Sequence, residues 1–437
     1  MKRYVLIGAS GRALGMFAKP LVKDFRDVAE IVGIFDINRT RAEYIRNNTD
    51  PNIPVYTDYD QMMRETKPDV GIVTTVDRFH HEYIIKTLEY GCDAITEKPM
   101  TIDEEKCNAI LEAERRTGKK VIVTFNYRFN PYNTRIKELI KEGAIGKVLS
   151  VDFEWLLDTR HGADYFRRWH RRMENCGGLL VHKATHHFDL VNWWIDEEPE
   201  EVYANGTLRF YGPTREKRGE RCSTCQYAST CEFAVKYHED PYMKEFYFNA
   251  EHEDGYFRDR CVFADEIDIY DSMSVTVRYS NNALLTYSLI AYSPYEGWKI
   301  SFNGTDGRLE AGEYHSGQNA GQPVNQIKLF NRRGEVITYD IRRIQGGHGG
   351  GDERLRNMIF RGNIPDPLNH FAGSYDGAKS IMIGVCANKS IKEKSEELLT
   401  YVIGGAALLT IFVANSGVLS RFLKFPLPAT DELLRYM

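Results

Sequence analysis

Apolar residues in the first 125 positions fall into short runs that alternate with charged segments of helical periodicity. The runs are rich in β-branched residues and lie at residues 4–8, 31–35, 70–74, 92–96 and 121–125. Between them, residues 79–90 and 103–117 carry apolar side chains at helical spacing. Strands that alternate with helices pack as a parallel sheet with helices on both faces. The pattern therefore predicts an α/β domain with a doubly wound sheet over residues 1–125.

After residue 125 the pattern changes from alternating strands and helices to successive strands. Asn130-Pro131, followed by apolar residues at helical spacing, predicts a helix that stops near Gly143. Asn281-Asn282 suits a hairpin turn, and a further helix is predicted over residues 181–195. The strand patterns lie at residues 148–155, 202–210, 273–279, 284–291 and 298–302. Residues 126–400 are therefore predicted to form an α+β domain with an open-faced, mainly antiparallel sheet.

Two segments depart from this plan. Residues 212–262 are rich in charge, tyrosine and cysteine, which indicates an insertion. Residues 401–419 contain no charged residue, and the apolar tail is taken as residues 401–437. Nineteen such residues reach the minimum for a membrane-spanning helix, although Gly404, Gly405 and Gly417 weaken that interpretation. A buried or subunit-interface segment is the favoured alternative to a membrane anchor.

The length and the net charge of the chain limit which classes of protein it can belong to. A chain of 437 residues is longer than one hydrophobic core normally serves, so two domains are expected. The net charge is −5 and its acids and bases are mixed, which argues against a nucleic-acid partner. Gly8 and Gly15 interrupt any apolar signal segment at the N-terminus, so we expect a cytoplasmic protein.

The turn after the first strand is rich in glycine and precedes a helical pattern. Glycines there let backbone N–H groups approach a pyrophosphate at a helix N-terminus, as in Rossmann domains. The predicted cofactor contacts of this turn are Gly8, Ser10, Gly11, Arg12 and Ala13, with Ser10 in place of the usual second glycine. Asp36 ends the second strand, where an acid binds ribose hydroxyls and repels a 2′-phosphate. NAD is therefore favoured over NADP, although Arg39 and Arg41 blur the preference.

Glu97-Lys98-Pro99 follows the fourth strand. A lysine at the carboxyl end of a parallel strand, beside a dinucleotide site, can polarise or deprotonate a substrate alcohol. Residues 74–80 leave the third strand where a cofactor edge is expected, so Thr75 and His80 are candidate cofactor contacts. His80 is equally well explained as a structural residue at a helix start.

These motifs together resemble the Gfo/Idh/MocA oxidoreductase family. The likeness rests on the glycine turn, Asp36, the 74–80 turn, Glu97-Lys98-Pro99, residues 127–131 and the segment from Gly177-Gly178 through His186 to Asp189. Members pair a Rossmann domain with an open-faced sheet and oxidise or reduce sugars, inositols or related polyols with NAD(P). The resemblance implies that Lys98 and His186 are catalytic, that Glu97 and Lys98 contact the cofactor, and that Tyr127, Arg128, Lys183 and Asp189 contact the substrate.

One position departs from the family pattern. The aspartate of the family's Asp-x-x-x-His element is His182 in this sequence. Three interpretations compete: His182 orients or relays a proton for a catalytic His186; His182, His186 and Asp189 bind a divalent metal; or all three are polar residues of a buried helix. The first is favoured because titratable groups cluster at functional sites.

A run of arginine, tryptophan and histidine precedes this segment. Arg168, Trp169 and His170 are candidate substrate contacts, because arginine suits carboxylates and a tryptophan face suits a sugar ring. A solvated basic loop explains the same run equally well. The later segment 348–352, which contains His348, is interpreted either as a cover for the site or as a turn.

The insertion contains a C-x-x-C pair at Cys222 and Cys225, with Cys231 and Cys261 further on. Four thiolates would form a closed structural zinc site. Reduced thiols or a disulfide are the alternatives.

The sequence as a whole predicts an NAD(P)-dependent oxidoreductase that transfers a hydride to or from a secondary hydroxyl carbon of a sugar, polyol or sugar derivative. The first alternative is a glycosidase or lyase that oxidises a sugar transiently. The second is a nucleotide-binding sensor or assembly subunit without catalysis. A homo-oligomer is expected, because an open sheet face favours association.

Overall fold

The computed structural model describes the backbone of residues 1–403 and the side chains of residues 1–393. The predicted apolar tail therefore lies outside the described residues, apart from the helical backbone of 401–403. Within the described part of the chain, no helix combines the length and the apolar character that a membrane crossing requires.

The first sheet has the predicted doubly wound order, β15-β6-β5-β4-β1-β2-β3. Its strands are β1 Lys2–Ile7, β2 Ala29–Phe35, β3 Val55–Tyr56, β4 Val70–Val73, β5 Asp93–Thr96, β6 Val121–Val123 and β15 Ala372–Gly373. The first six run parallel, and β15 pairs antiparallel with β6. The apolar runs are continuous because helices cover both faces of the sheet.

The helices of this part begin and end at residues that suit those positions. Asp103 accepts a hydrogen bond from Lys106 N at the start of one helix, and Gly118 ends the same helix with φ +68°. The helices are α1 Lys19–Asp24, α2 Arg39–Asn47, α3 Tyr59–Thr66, α4 His80–Glu89, α5 Glu104–Thr117 and α6 Pro131–Lys141. A π-helix, Ala13–Ala18, precedes α1.

The second sheet has eight strands in the described residues, ordered β14-β13-β12-β11-β7-β10-β9-β8. They are β7 Val148–Asp158, β8 Pro199–Thr207, β9 Ser272–Tyr279, β10 Leu284–Ser293, β11 Gly297–Gly304, β12 Gly307–Tyr314, β13 Val324–Asn331 and β14 Val336–Arg342. All neighbours pair antiparallel except β7 and β10, which run parallel. Asn281-Asn282 forms the predicted hairpin between β9 and β10, with Asn282 at φ +66°.

The remaining helices lie around and after this sheet. They are α7 Thr159–Arg167, α8 Met173–Cys176, α9 Leu179–His182, α10 Thr185–Ile195, α11 Pro241–Phe246, α12 Glu251–Asp254, α13 Gly351–Arg361 and α14 Ser374–Ile403. The prediction of a single helix over residues 181–195 is wrong, because the helix is interrupted at Lys183-Ala184, between α9 and α10. The break places His182 and His186 on different helices.

After the second sheet the chain returns to the first one. Phe360 of α13 packs edge-on against Tyr4 at 5.3 Å and near Phe25 at 5.2 Å between ring centroids. Leu355 and Phe360 are buried in the same apolar cluster as β1 and α1. Residues 1–387 accordingly form one compact unit.

The insertion is a folded segment. Asp271 Oδ2 accepts hydrogen bonds from the backbone N–H groups of Arg209, Phe210 and Tyr211 at its base. Arg221 pairs with Glu251 and Asp259 within it. Its last part, from α11 onward, packs against the first sheet beside the glycine turn, where Tyr247 accepts a hydrogen bond from Gly11 N at 2.9 Å.

Candidate active site

A cavity of about 1090 Å³ opens at the carboxyl ends of β1, β2, β4 and β5. Ligands of open α/β sheets bind at this edge. The predicted site residues that line the cavity are Gly8, Ser10, Gly11, Arg12, Asp36, Thr75, His80, Glu97, Lys98, Arg168, Trp169, His170, His182, Lys183 and His186. Most of the residues predicted to contact the cofactor and all those predicted to be catalytic therefore line the same cavity.

The glycine turn requires glycine at its first position. Gly8 has φ +100°, and a Cβ there would lie 2.7 Å from the backbone nitrogen of Thr75. Ser10 Oγ accepts a hydrogen bond from Ala13 N at 3.1 Å and so fixes the start of the following helix. Ala13 itself is buried and does not line the cavity. The close-packed turn at a helix start fits the pyrophosphate of a dinucleotide.

Asp36 lies at the end of β2, as predicted. Its carboxylate accepts hydrogen bonds from Ala9 N at 2.5 Å and Asn38 N at 2.7 Å, and Arg41 lies 3.5 Å away. Burial raises the pKa of Asp36, and the Arg41 guanidinium opposes that rise. The carboxylate faces the cavity where a ribose is expected.

Arg39, a predicted cofactor contact, lies at the surface of α2. Its side chain is 63% exposed, pairs with Glu43 at 3.0 Å and does not line the cavity. Arg39 and Glu43 are four residues apart on α2, so the pair belongs to the outer face of that helix. Arg41, two residues on, is the arginine that faces the site.

Arg12 and Glu97 bind each other. Arg12 Nη2 lies 2.9 Å from Glu97 Oε1, and Arg12 Nη1 lies 3.3 Å from Asp352 Oδ2. Asp352 in turn accepts from Asn126 and contacts His348 Nδ1 at 2.9 Å. The glycine turn, the Glu97-Lys98-Pro99 loop and the start of α13 are thereby joined at the cavity.

His80 supports the loop that carries Lys98. Its Nδ1 lies 2.8 Å from Pro99 O and its Nε2 lies 3.1 Å from Thr75 O. Burial lowers the pKa of His80, and a neutral imidazole can donate to one carbonyl at a time. The ring therefore lies between Thr75 and the Lys98-Pro99 loop and, when neutral, donates a hydrogen bond to one of them.

Lys98 lies buried beside a carboxylate that the sequence analysis did not select. Its Nζ donates to His182 O at 3.1 Å, and His182 Nδ1 lies 2.5 Å from Asp77 Oδ2. Burial lowers the pKa of Lys98, while the charges of Asp77 and Glu97 oppose that fall. Asp77 follows β4 within the 74–80 turn, so an acid does stand beside this site, although on a different element from the family's aspartate.

His186 presents an imidazole with free capacity to bind a ligand. Its Nδ1 is buried without a hydrogen-bond partner among the described residues. The ring packs edge-on against Tyr127 at 4.9 Å and Phe125 at 6.0 Å. Burial lowers the pKa of His186 well below its ordinary value, and the charge of Lys98 adds to that effect. A neutral imidazole is suited to accept a proton.

The metal interpretation of His182, His186 and Asp189 is wrong. Among the described residues, no group of three or more histidine, cysteine, aspartate or glutamate side chains could hold a metal ion. Asp189 is instead buried against Arg128, with both carboxylate oxygens bound by the guanidinium. Arg128 and Asp189 do not line the cavity, so their predicted contact with substrate is not seen.

Lys183 occupies the break between α9 and α10 and faces the cavity. Its Nζ lies 4.9 Å from the centre of the Trp155 ring. Burial lowers the pKa of Lys183 to about 8. Tyr127 also packs edge-on against Trp155, but it does not line the cavity itself.

The predicted basic loop contributes to the cavity wall. Arg168 pairs with Asp164 at 2.8 Å and donates to Tyr256 Oη of the insertion at 3.2 Å. The Trp169 ring stacks on His170 at 3.6 Å between centroids. His170 is buried, and its Nδ1 has no hydrogen-bond partner among the described residues. The loop is therefore a structured wall and not a solvated one.

The sequence analysis did not select Asp77 or Glu296, and it left the role of His348 open. His161 Nδ1 lies 2.9 Å from Glu296 Oε1, and Asp77 contacts His182. His348, with φ +52°, packs edge-on against Tyr127 and lies 5.8 Å from the His186 ring. Asp77 lies within the 74–80 turn that was predicted to face the cofactor, so its position could have suggested a role in the site. Glu296 lies in no motif that marks it as a site residue.

The four cysteines of the insertion do not form the predicted zinc site. Cys222, Cys225, Cys231 and Cys261 are all free thiols, and they belong to no metal-holding group in the described part of the chain. Arg221 and Arg260 form a bridge between two extended segments, and the ion pairs of Arg221 with Glu251 and Asp259 hold the insertion together instead.

Two protein-family models match this chain, one for each domain. The model of an oxidoreductase family with an NAD-binding Rossmann fold matches residues 2–125, and that of its C-terminal alpha/beta domain matches residues 137–397. The chain belongs to the Gfo/Idh/MocA oxidoreductase family. The predicted fold class and family are thereby confirmed.

Curated relatives within the Gfo/Idh/MocA family support an enzymatic role. YteT of Bacillus subtilis (strain 168), a proposed oxidoreductase, is 40% identical over 90% of this chain and 97% of its own length. An inositol 2-dehydrogenase of Rubrobacter xylanophilus is 26% identical over 46% of this chain and 54% of its own. The chain is an oxidoreductase.

Solved structures show the same fold. The WlbA dehydrogenase from Bordetella pertussis, in complex with NADH and UDP-GlcNAcA, matches with a TM-score of 0.61 and 16% identity over 90% of this chain and 97% of its own. The comparisons as a whole favour the oxidoreductase over the transient-oxidation glycosidase and over the non-catalytic sensor.

Proposed function

We propose that this enzyme transfers a hydride between NAD and a secondary hydroxyl carbon of a sugar, polyol or sugar derivative. The observation that carries the proposal is a single cavity with the glycine turn and Asp36 at one end, and Lys98 and His186 at the other. The inositol 2-dehydrogenase among the relatives, and the sugar nucleotide bound to WlbA, agree with such a substrate.

The residues at the first end fit NAD. The turn at Gly8 leaves no room for a side chain and precedes a helical segment, which suits a pyrophosphate. Asp36 offers a buried carboxylate to ribose hydroxyls. When bound there, NAD supplies the acceptor of the hydride, and the protein has to bind, orient and deprotonate the alcohol.

Lys98 and His186 have different roles toward the substrate hydroxyl: one binds its oxygen and the other takes its proton. Asp77 and Glu97 favour the ammonium form of Lys98, which can hold the substrate oxygen and stabilise negative charge on it. The neutral His186 ring, with an unpartnered Nδ1 and Lys98 nearby, can take the hydroxyl proton. In the reverse direction the same groups return the proton.

Asp77 and His182 position Lys98. The backbone carbonyl of His182 accepts from Lys98 Nζ, and the imidazole of His182 is held by Asp77. His182 therefore orients Lys98 in this proposal, whereas the first interpretation of the sequence had it orient or relay a proton for His186. Lys183 and Arg168 present positive charge to the substrate, and Trp169 presents a flat face to it.

Two variants test these roles. Lys98→Ala and His186→Ala should each lower kcat by about 10²–10⁴-fold, because each removes a group that moves or holds the proton, while NAD affinity stays largely unchanged. Rates are measured as reduced-nicotinamide absorbance with the best sugar of a panel, and NAD binding by titration calorimetry.

Exposed residues of the same types are the controls. Lys23, which is exposed on α1, and His252, which is exposed on α12, should tolerate alanine with rates near wild type. If both site variants also keep near wild-type rates, the proposed roles are wrong. NAD rather than NADP, a homo-oligomer and a cytoplasmic location stay predictions.

A further inference from the structure

The end of the insertion contacts the part of the cavity proposed for the adenosine ribose. Arg41 Nη2 pairs with Asp254 of α12, and the same Nη2 lies 3.5 Å from Asp36 Oδ1. The side chains of Arg41 and Asp254 are 10% and 14% exposed. One guanidinium is thus shared between a carboxylate of the first sheet and a carboxylate more than 200 positions away in sequence.

Further contacts fix the insertion at this place. Glu253 accepts hydrogen bonds from Arg39 N at 2.5 Å and Thr40 N at 2.9 Å, at the start of α2. Asn38 Nδ2 donates to Ala250 O at 2.8 Å. The contacts involve backbone groups on both sides, so Asp254 is held in register with Arg41.

This arrangement has a consequence for a 2′-phosphate. An arginine near the acid at the end of β2 can bind the 2′-phosphate of NADP if its guanidinium is free. Here Arg41 is engaged by Asp36 and Asp254, and Asp254 adds a second negative charge to the same place. A phosphate would meet two carboxylates and an arginine that is already paired.

We propose that Asp254, contributed by the insertion, is a specificity-determining residue that holds Arg41 and selects NAD over NADP. The inference rests on the proposed function, because it assumes that the cavity binds a dinucleotide. It adds a residue of the insertion to the cofactor site and gives the insertion a role in cofactor choice.

The test compares binding of NAD and NADP to the full chain by titration calorimetry, without any sugar. Asp254→Ala should release Arg41 and lower the ratio of the dissociation constants, NADP over NAD, by about tenfold or more, the worth of one charge-assisted interaction. Asp254→Asn removes the charge with little change of shape and should shift the ratio in the same direction.

Two controls separate selection from a general effect. Asp265→Ala removes an exposed carboxylate that lies just after the insertion and pairs with Arg218 within it, and it should leave the ratio unchanged. In the double variant Arg41→Ala and Asp254→Ala, the gain for NADP should disappear because no guanidinium is left to bind the phosphate.

The outcomes are distinct. A fall in the ratio for both Asp254 variants, absent from the two controls, supports the inference. Unchanged ratios in variants that still bind NAD overturn it and leave the proposed function standing. If the wild-type chain binds neither NAD nor NADP, both the inference and the proposed function fail.

Discussion

At the residue scale, the site depends on buried groups whose charges are set by their neighbours. Lys98 is buried near Asp77 and Glu97, whose charges oppose the burial-driven fall of its pKa, whereas the pKa of His186 is lowered by burial with no carboxylate to oppose it. Stabilising a substrate oxygen requires an ammonium, whereas taking a proton requires a neutral imidazole. The different surroundings of Lys98 and His186 suit them to these two roles.

Asp77 gives a prediction at this scale. Asp77→Asn removes the charge that favours the Lys98 ammonium and weakens the contact with His182, so kcat should fall by about tenfold or more. Because the pKa of Lys98 falls further in this variant, the alkaline limb of the pH–rate profile should move to lower pH. Steady-state rates across pH measure both effects.

The control for this variant is Asp69→Asn, which alters an exposed carboxylate that accepts from Arg3 N. It should keep the wild-type profile. An Asp77→Asn enzyme with a lower rate but an unmoved alkaline limb would show that Asp77 has only a structural role.

The sequence located the residues with local motifs and missed those without them. Lys98 follows a strand within a three-residue motif, and Asp36 ends a strand, so both were found. Glu296 meets His161 across 135 positions, and no local pattern marks such a pair. The pairing of Arg128 with Asp189 was likewise invisible, because a buried ion pair and a substrate contact use the same residue types.

At the element scale, one buried ion pair joins α10 to the turn that precedes α6. Arg128 binds Asp189 through Nε and Nη2, and both side chains are almost fully buried. Burial raises the pKa of Asp189 to about 6, and the charge of Arg128 opposes that rise. The pair fixes the helix that starts just before His186.

Breaking this pair should be costly. Asp189→Ala leaves the Arg128 guanidinium buried without its main partner, and it should lower the free energy of unfolding by about 3–5 kcal/mol. Urea unfolding measures the change. Arg116→Ala, which removes an exposed pair with Glu89, should cost about 1 kcal/mol or less. Equal losses in the two variants would contradict the structural role assigned to Asp189.

The elements themselves were largely predictable from periodicity. Most strands of the first sheet and the hairpin at Asn281-Asn282 follow from patterns a few residues long. The two-residue strand β3 is too short to leave a pattern, and no glycine or proline marks the break at Lys183-Ala184. The docking of the insertion depends on tertiary contacts such as Tyr247 with Gly11, which sequence spacing does not encode.

At the scale of the whole molecule, several histidines are buried in neutral form. Burial lowers the pKa of His170, His186 and His187 well below the ordinary value. In the unfolded chain each titrates near 6.5, so its contribution to stability is complete above that pH and is lost as the pH falls toward the folded pKa. Buried acids with a raised pKa, such as Asp189, act in the opposite direction at lower pH.

A comparison of variants isolates the histidine contribution. His187, which contacts Tyr287 Oη at 2.6 Å, stacks on Trp155 and does not line the cavity. In His187→Gln, the loss of unfolding free energy between about pH 7 and about pH 5.5 should be smaller than in wild type, by up to about 1.4 kcal/mol per pH unit. Urea unfolding at several pH values measures it. Parallel pH dependences would contradict the neutral, buried state of this histidine.

The cavity combines distant parts of the described chain, since the glycine turn, the insertion and the segment around His348 all line it. In the proposed function, this cavity carries hydride transfer between NAD and the hydroxyl-bearing carbon of a sugar or polyol. The direct measurement is absorbance at the reduced-nicotinamide band, with purified wild-type protein, NAD or NADP, and a panel of sugars, sugar acids and polyols. A substrate-dependent rise with NAD is the predicted result. No rise with any substrate, together with cleavage of an aryl glycoside that requires added NAD, would contradict net dehydrogenation.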